Sequence, residues 1–156
     1  TVRAFYDVNL ALTERPAPFS FFDPRRPIYT HARFLPGTRA DRCRIDRSIV
    51  AEGCDLEACT IEESIVGIRM AVRPGAHIRR SVLLGADFYE EGGSGVPLGI
   101  GRDVVLDGVI VDKNARIADG VWLINDGTAD DADRDGDYVR SGVVVPKGAV
   151  ITRGGM

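Results

Sequence analysis

The sequence predicts an all-β chain coiled into a left-handed parallel β-helix, a solenoid of hexapeptide repeats. Three observations predict it: an aliphatic ladder, a recurring corner motif, and an abrupt change of composition ahead of both. In the ladder, Val66, Val72, Ile78 and Leu84 lie six apart, as do Val105, Val111, Ile117 and Leu123. Val139, Val145 and Ile151 repeat the spacing, and Val50 with Leu56 extends it towards the start. A period of six fits neither an amphipathic helix nor one long strand. The corner motif is a turn residue, a small residue, any residue, then Ile or Leu. It occurs as Gly53-Cys54-Asp55-Leu56, Gly75-Ala76-His77-Ile78, Asn114-Ala115-Arg116-Ile117 and Gly148-Ala149-Val150-Ile151, with Asp119-Gly120-Val121-Trp122-Leu123 as a variant. Gly and Asn tolerate the positive φ of a sharp corner, the small residue turns inward where space is short, and the aliphatic one stacks on the next coil. Such coils bury their faces only against their neighbours. An antiparallel sandwich with turns every 8–12 residues matches the phase-locked spacing less well.

The elements follow in order. Residues 1–13 read as a short helix, with Thr1 as N-cap and Phe5, Val8 and Leu12 on one face. Residues 14–42 form a strap holding five of the eight prolines, interleaved with Phe19, Phe21, Phe22, Tyr29 and Phe34. Proline blocks regular helix and central strand, and the aromatics call for a surface to press on. Residues 43–156 are the β-helix, with excursions near 88–97 and 125–137. In the second excursion, Asp131-Ala132-Asp133-Arg134-Asp135-Gly136 copies half of a calcium loop, but Gly142 stands where the bidentate Glu belongs, so a solvated loop is expected.

Bulk properties narrow the function classes. The formal charge of −3 gives no basic footprint for nucleic acid. No run is apolar enough to span a membrane, and no secretory signal opens the sequence. Cys43, Cys54 and Cys59 read as small buried thiols in a reducing compartment rather than a metal site, to which only His31 and His77 could add. Against 18 arginines there are two lysines, Lys113 and Lys147, each four residues before the stacked Ile of a corner motif and immediately before its turn residue. Equivalent solenoid positions point to one edge, and an ammonium beside exposed backbone N–H groups suits a phosphate.

A family resemblance runs along nearly the whole chain. Phe5-Tyr6-Asp7-Val8-Asn9-Leu10-Ala11-Leu12-Thr13, Pro27-Ile28-Tyr29-Thr30 and Arg33-Phe34-Leu35-Pro36 resemble the connector of glucose-1-phosphate adenylyltransferase, the ADP-glucose pyrophosphorylase family. Ser64-Ile65-Val66-Gly67-Ile68-Arg69, Gly85-Ala86-Asp87-Phe88-Tyr89, Gly99-Ile100-Gly101, Asp112-Lys113-Asn114-Ala115-Arg116-Ile117 and Tyr138-Val139-Arg140-Ser141-Gly142 resemble its C-terminal domain, closer to the cyanobacterial and plant branch. That family makes ADP-glucose and pyrophosphate from ATP and glucose 1-phosphate for glycogen and starch synthesis. The catalytic half, with its Gly-rich loop, is not matched here, so this stretch is expected not to catalyse alone and to use no cofactor itself. Mg²⁺ and ATP would belong to the missing domain.

The resemblance implies a part in a homo-oligomer or heterotetramer and in binding phosphate or sugar-phosphate effectors in a cleft facing the catalytic half. It places regulator-binding lysines at Lys113 and Lys147 and brings Arg33 and His31 to the same cleft, although the family often carries Gln where His31 stands. It also implies a cytoplasmic protein, or a plastid-stromal one in a plant or alga. Two other readings compete. One is a ligand-free assembly scaffold. The other is a hexapeptide-repeat acyltransferase, which needs a general-base His, and neither His31 nor His77 has an acid nearby in sequence.

Overall fold

The computed structural model describes residues 1–125, 132–134, 137–139 and 143–153; positions 131, 135 and 136 of the calcium-like stretch, and 140–142, lie outside them. Helix α1 (Val2–Ala11) begins where Thr1 accepts the Ala4 N–H at 3.1 Å, a working N-cap. The coils then follow. The first is β1 (Arg39–Asp41), β2 (Arg44–Asp46) and β3 (Ile49–Val50), and the second is β4 (Asp55–Glu57), β5 (Thr60–Glu62) and β6 (Ile65–Val66). The third is β7 (Ala71–Val72), β8 (His77–Arg79) and β9 (Val82–Leu83), after which an excursion precedes the fourth: β10 (Gly99–Ile100), β11 (Val105–Asp107) and β12 (Val109–Val111). The fifth holds β13 (Arg116–Ile117) and β14 (Trp122–Ile124), then an antiparallel hairpin of β15 (Ala132–Arg134) and β16 (Asp137–Val139), then β17 (Val143–Val145). A final strand, β18 (Val150–Ile151), opens a sixth turn.

Strands three apart, or five apart across the β15–β16 hairpin, pair in parallel and make three faces, ordered β1-β4-β7-β10-β13-β18, β2-β5-β8-β11-β14 and β3-β6-β9-β12-β17. Pairing begins at Arg39, opposite Asp55. Each face sends one inward ladder to the core. Leu56, Val72, Ile100 and Ile117 stack on the first, Ile61, Ile78, Leu106 and Leu123 on the second, and Val66, Leu83, Val111 and Val145 on the third. All twelve are at most 2% exposed, so the core is a dry aliphatic column. Burying each such side chain is worth about 1.5–3 kcal/mol.

The six-residue rule needs two corrections, one of them a five-residue inward step from Leu56 to Ile61 where later coils take six. From the second face to the third the inward step is five residues, as in Ile61 to Val66, Ile78 to Leu83 and Leu106 to Val111. Leu83 therefore stacks where the period of six expects Leu84, and Leu106 where it expects Val105. Val139 also leaves the ladder, because it pairs with Ala132 in the hairpin. At this short corner a column of serines replaces an apolar residue. Ser64 Oγ donates to Glu62 O at 2.7 Å and accepts the Ser81 N–H at 3.0 Å, and Ser81 Oγ repeats the pattern towards Arg79 O and the Val109 N–H. Both hydroxyls are fully buried and fully paired, which is the condition for a polar group in a core.

Two further expectations change. The helix packs through Val2, Tyr6, Leu10 and the expected Leu12, whereas Phe5 and Val8 are exposed. Tyr6 Oη donates to the Arg80 carbonyl and fixes α1 over β9. The strap's aromatics also find no surface on this chain: Phe22 is 81% exposed, Tyr29 91% and Phe34 96%. The coil interior is already filled by its own ladders, and the outward positions of β1 and β2 are the charged Arg39, Asp41, Arg44 and Asp46.

Candidate functional site

The corner between the third and first faces is where the chain gathers its lysines. Four backbone bonds stack it coil on coil: Arg69 N–H to Glu52 O (3.2 Å), Ala86 N–H to Ile68 O (2.8 Å), Asn114 N–H to Gly85 O (3.1 Å) and Gly148 N–H to Lys113 O (2.9 Å). Glu52, Ile68, Gly85, Lys113 and Lys147 thus occupy one position in successive coils. The residues after the two lysines adopt positive φ, Asn114 at 61° and Gly148 at 72°, which turns the chain and aims both lysines along the same edge. The small residues that follow, Ala115 and Ala149, face the core.

Both ammonium groups converge on one carboxylate. Lys113 Nζ lies 2.9 Å from Asp87 Oδ1, and Lys147 Nζ lies 3.0 Å from Asp87 Oδ2. Asn114 holds the same aspartate from both sides, its Nδ2 donating to Asp87 Oδ2 at 3.0 Å and its Oδ1 accepting the Asp87 N–H at 2.8 Å. The Lys113 bond, then those of Lys147 and Asn114, hold the Asp87 carboxyl well below the usual carboxylate range. Asp112 is engaged locally, its Oδ1 accepting the Lys113 N–H at 2.6 Å.

Asp87 opens the first excursion, and the residues after it fasten that excursion to the coils. Tyr89 Oη donates to Gly53 O at 3.0 Å, and the Arg69 guanidinium lies 5.7 Å from the Tyr89 ring centre while donating to Ala86 O. Glu90 accepts the Leu98 N–H at 2.9 Å and pairs with Arg116, contacts that lower its proton affinity in that order. At the same end, Leu35 of the strap packs beside Gly53, and Thr38 accepts the Cys54 N–H at 3.2 Å.

The structure brings Lys113 and Lys147 together. It does not bring Arg33 or His31 to them; both are exposed on the strap and have no hydrogen-bond or ion-pair partner among the described residues. His77 is an exposed outward residue of β8, in register with Thr60 and Val105 and likewise without a carboxylate partner. Among the described residues no three His, Cys, Asp or Glu side chains gather as a metal site. Cys59 and Cys43 stack on adjacent coils with sulfurs 3.3 Å apart, and burial pushes the Cys59 thiol up to about 12. Sequence reasoning missed Asp87 and Asn114. The signal was there, since Asp87 falls two residues past the corner position that Gly85 shares with the lysines, but the excursion breaks the period just after it.

The arrangement can do one kind of chemistry. Two ammoniums and an amide N–H₂ gathered on one carboxylate suit an anion rather than a nucleophile–base pair. A family model described as the GLGC left-handed parallel beta-helix domain matches residues 33–156.

Proposed function

Because this chain belongs to the GLGC left-handed parallel beta-helix domain family, the C-terminal β-helix domain of glucose-1-phosphate adenylyltransferase, we propose that it regulates and assembles such an enzyme by holding phosphorylated effectors at the Lys113–Lys147 corner. The parent reaction, ATP and glucose 1-phosphate to ADP-glucose and pyrophosphate, belongs to a catalytic half with its own Mg²⁺. The role of this domain is to bind and to couple. The observation that carries the reading is the convergence of the two lysines of the chain on a single acidic group, from two stacked coils. A phosphate or sugar phosphate presents the same demand as that carboxylate, several acceptor oxygens with negative charge.

The proposed site extends to Arg33 and His31 of the strap, which stand exposed and without contact to the lysines, so the strap would have to move to bring them in; its Leu35 packs at the same edge. Arg33 offers a bidentate fork to a phosphate, and His31 a ring nitrogen. For assembly, the apolar outward surface supports the reading. Trp122 is 66% exposed in register with Val105, and Ile124 is 51% exposed beside it. Together with the uncovered strap aromatics they suit a homo-oligomeric or heterotetrameric contact, or a seat for the catalytic half.

Inorganic phosphate at millimolar concentration should raise the thermal midpoint of the chain by mass action, and Lys113→Ala with Lys147→Ala should abolish the rise. No rise in the unsubstituted chain would favour the second reading, a bare assembly scaffold. One observation speaks for that alternative: each lysine already has a partner in Asp87.

A further inference from the structure

We propose that Asp87 is a resident counter-ion, occupying the place of a phosphate between Lys113 and Lys147, and that a phosphate group binds by expelling it. This rests on the reading of the corner as a phosphate site and adds what that binding must displace.

The geometry is that of a substitute ligand. Each oxygen of Asp87 takes one ammonium, and Asn114 donates a third bond to Oδ2. A phosphate dianion offers three terminal oxygens and up to two charges where Asp87 offers two oxygens and one. Lys113 and Lys147 bring two positive charges to the one negative charge of Asp87, while Asp112 stays committed to the Lys113 N–H. A dianion therefore matches the two ammoniums in charge, which the single carboxylate of Asp87 does not. The contacts to be broken lie near water, the side chains of Lys113, Asp87 and Lys147 being 35%, 39% and 59% exposed, so each is weak alone.

Displacement has a structural consequence because Asp87 is the root of an excursion. Losing the carboxylate contacts also frees the Asn114 Nδ2, so that only its Oδ1 still holds the Asp87 N–H. The next anchors, Tyr89 on Gly53 and Glu90 on Arg116 and Leu98, do not involve the lysines and stay in place. Beyond them, a side chain added at Gly92 or Gly95 would meet nothing within 4 Å, so the tip has room to move. Phosphate occupancy is thereby converted into loosening of residues 87 and 88, between the lysine corner and the Tyr89 anchor on Gly53.

The test compares the unsubstituted chain with Asp87→Asn and Asp87→Ala by calorimetric titration at low salt. The probes are inorganic phosphate and, separately, glycerol 3-phosphate as a simple phosphomonoester. Removing the competitor should tighten binding about fivefold or more. Phosphate should also speed amide exchange at Asp87 and Phe88 in the unsubstituted chain, a measurement that needs no variant to fold. Equal or weaker binding by both variants, with Lys113 and Lys147 still required, overturns the counter-ion role and leaves the phosphate site standing. Absence of binding in all three chains overturns the site itself, and this proposal with it.

Discussion

Ser64 Oγ lies 3.0 Å from the Ser81 amide nitrogen, one coil away, while giving its own proton to Glu62 O at 2.7 Å. The hydroxyl is therefore a rung of the solenoid rather than a tolerated polar residue. Replacing Ser64 with Ala leaves the buried Ser81 N–H without its partner, at a cost of about 1–3 kcal/mol, while Glu62 O keeps the Arg80 N–H at 3.0 Å. Ser48→Ala, at the half-buried end of the same column, should cost less. Urea unfolding of both variants checks the order, and the reverse order would show that the column is incidental.

The aliphatic column sets a larger scale. Leu106 is fully buried between Ile78 and Leu123, with coils on both sides that hold it from collapsing inward. Leu106→Ala should cost about 2–5 kcal/mol. Ile49→Ala, at a position 42% exposed in the first coil, should fall within about 1 kcal/mol. Leu84→Ala tests the register, since only a ladder residue would match the loss at Leu83.

Acid should weaken the first excursion. The carboxyls of Asp87 and Glu90 are both held below their ordinary values of 3.8 and 4.5 by bonds made in the folded chain. A depressed acid stabilises the fold above its unfolded value, and that contribution is lost as pH falls through the folded one. Stability from this source should be level above about pH 5 and decline below about pH 4. Asp87→Asn should show a shallower decline across that window when unfolding is followed between neutral and strongly acidic pH.

Thiol chemistry should separate the three cysteines. Burial pushes Cys54 up from the ordinary thiol value and Cys59 to about 12, so neither forms thiolate readily. Cys43 is only partly buried. With iodoacetamide at about pH 8, Cys43 should be alkylated first, and Cys54 and Cys59 only on unfolding. Mass spectrometry of the digested chain reads this directly, and early labelling of Cys59 would contradict it.

The β-helix and most of its ladder were legible because period and corner chemistry are local properties. Val66, Val72, Ile78, Val111, Ile117, Leu123, Val145 and Ile151 follow from counting alone. Leu84 and Val105 misled because the serine corner is one residue short, and its hydrogen bonds appear only once adjacent coils are stacked. The lysine edge was legible for the same reason as the ladder, since both lysines precede a corner. Asp87 was not, because its role depends on Gly85 aligning with Lys113 across an excursion that erases the count. The strap shows the opposite case. Its composition asked for a partner surface, and a chain whose interior is already full has none to give.

The first coil pairs on one side only, since β1, β2 and β3 each stand at the end of a sheet. Ile45 and Ile49 lie open there, 41% and 42% exposed. A stack that is held only by nearest neighbours loses cohesion from its ends, as a zipper does, and the first coil is one of the two places where unravelling can start. The same unpaired edge is a template for another strand. Whatever covers it therefore governs both how long the stack survives and whether it grows.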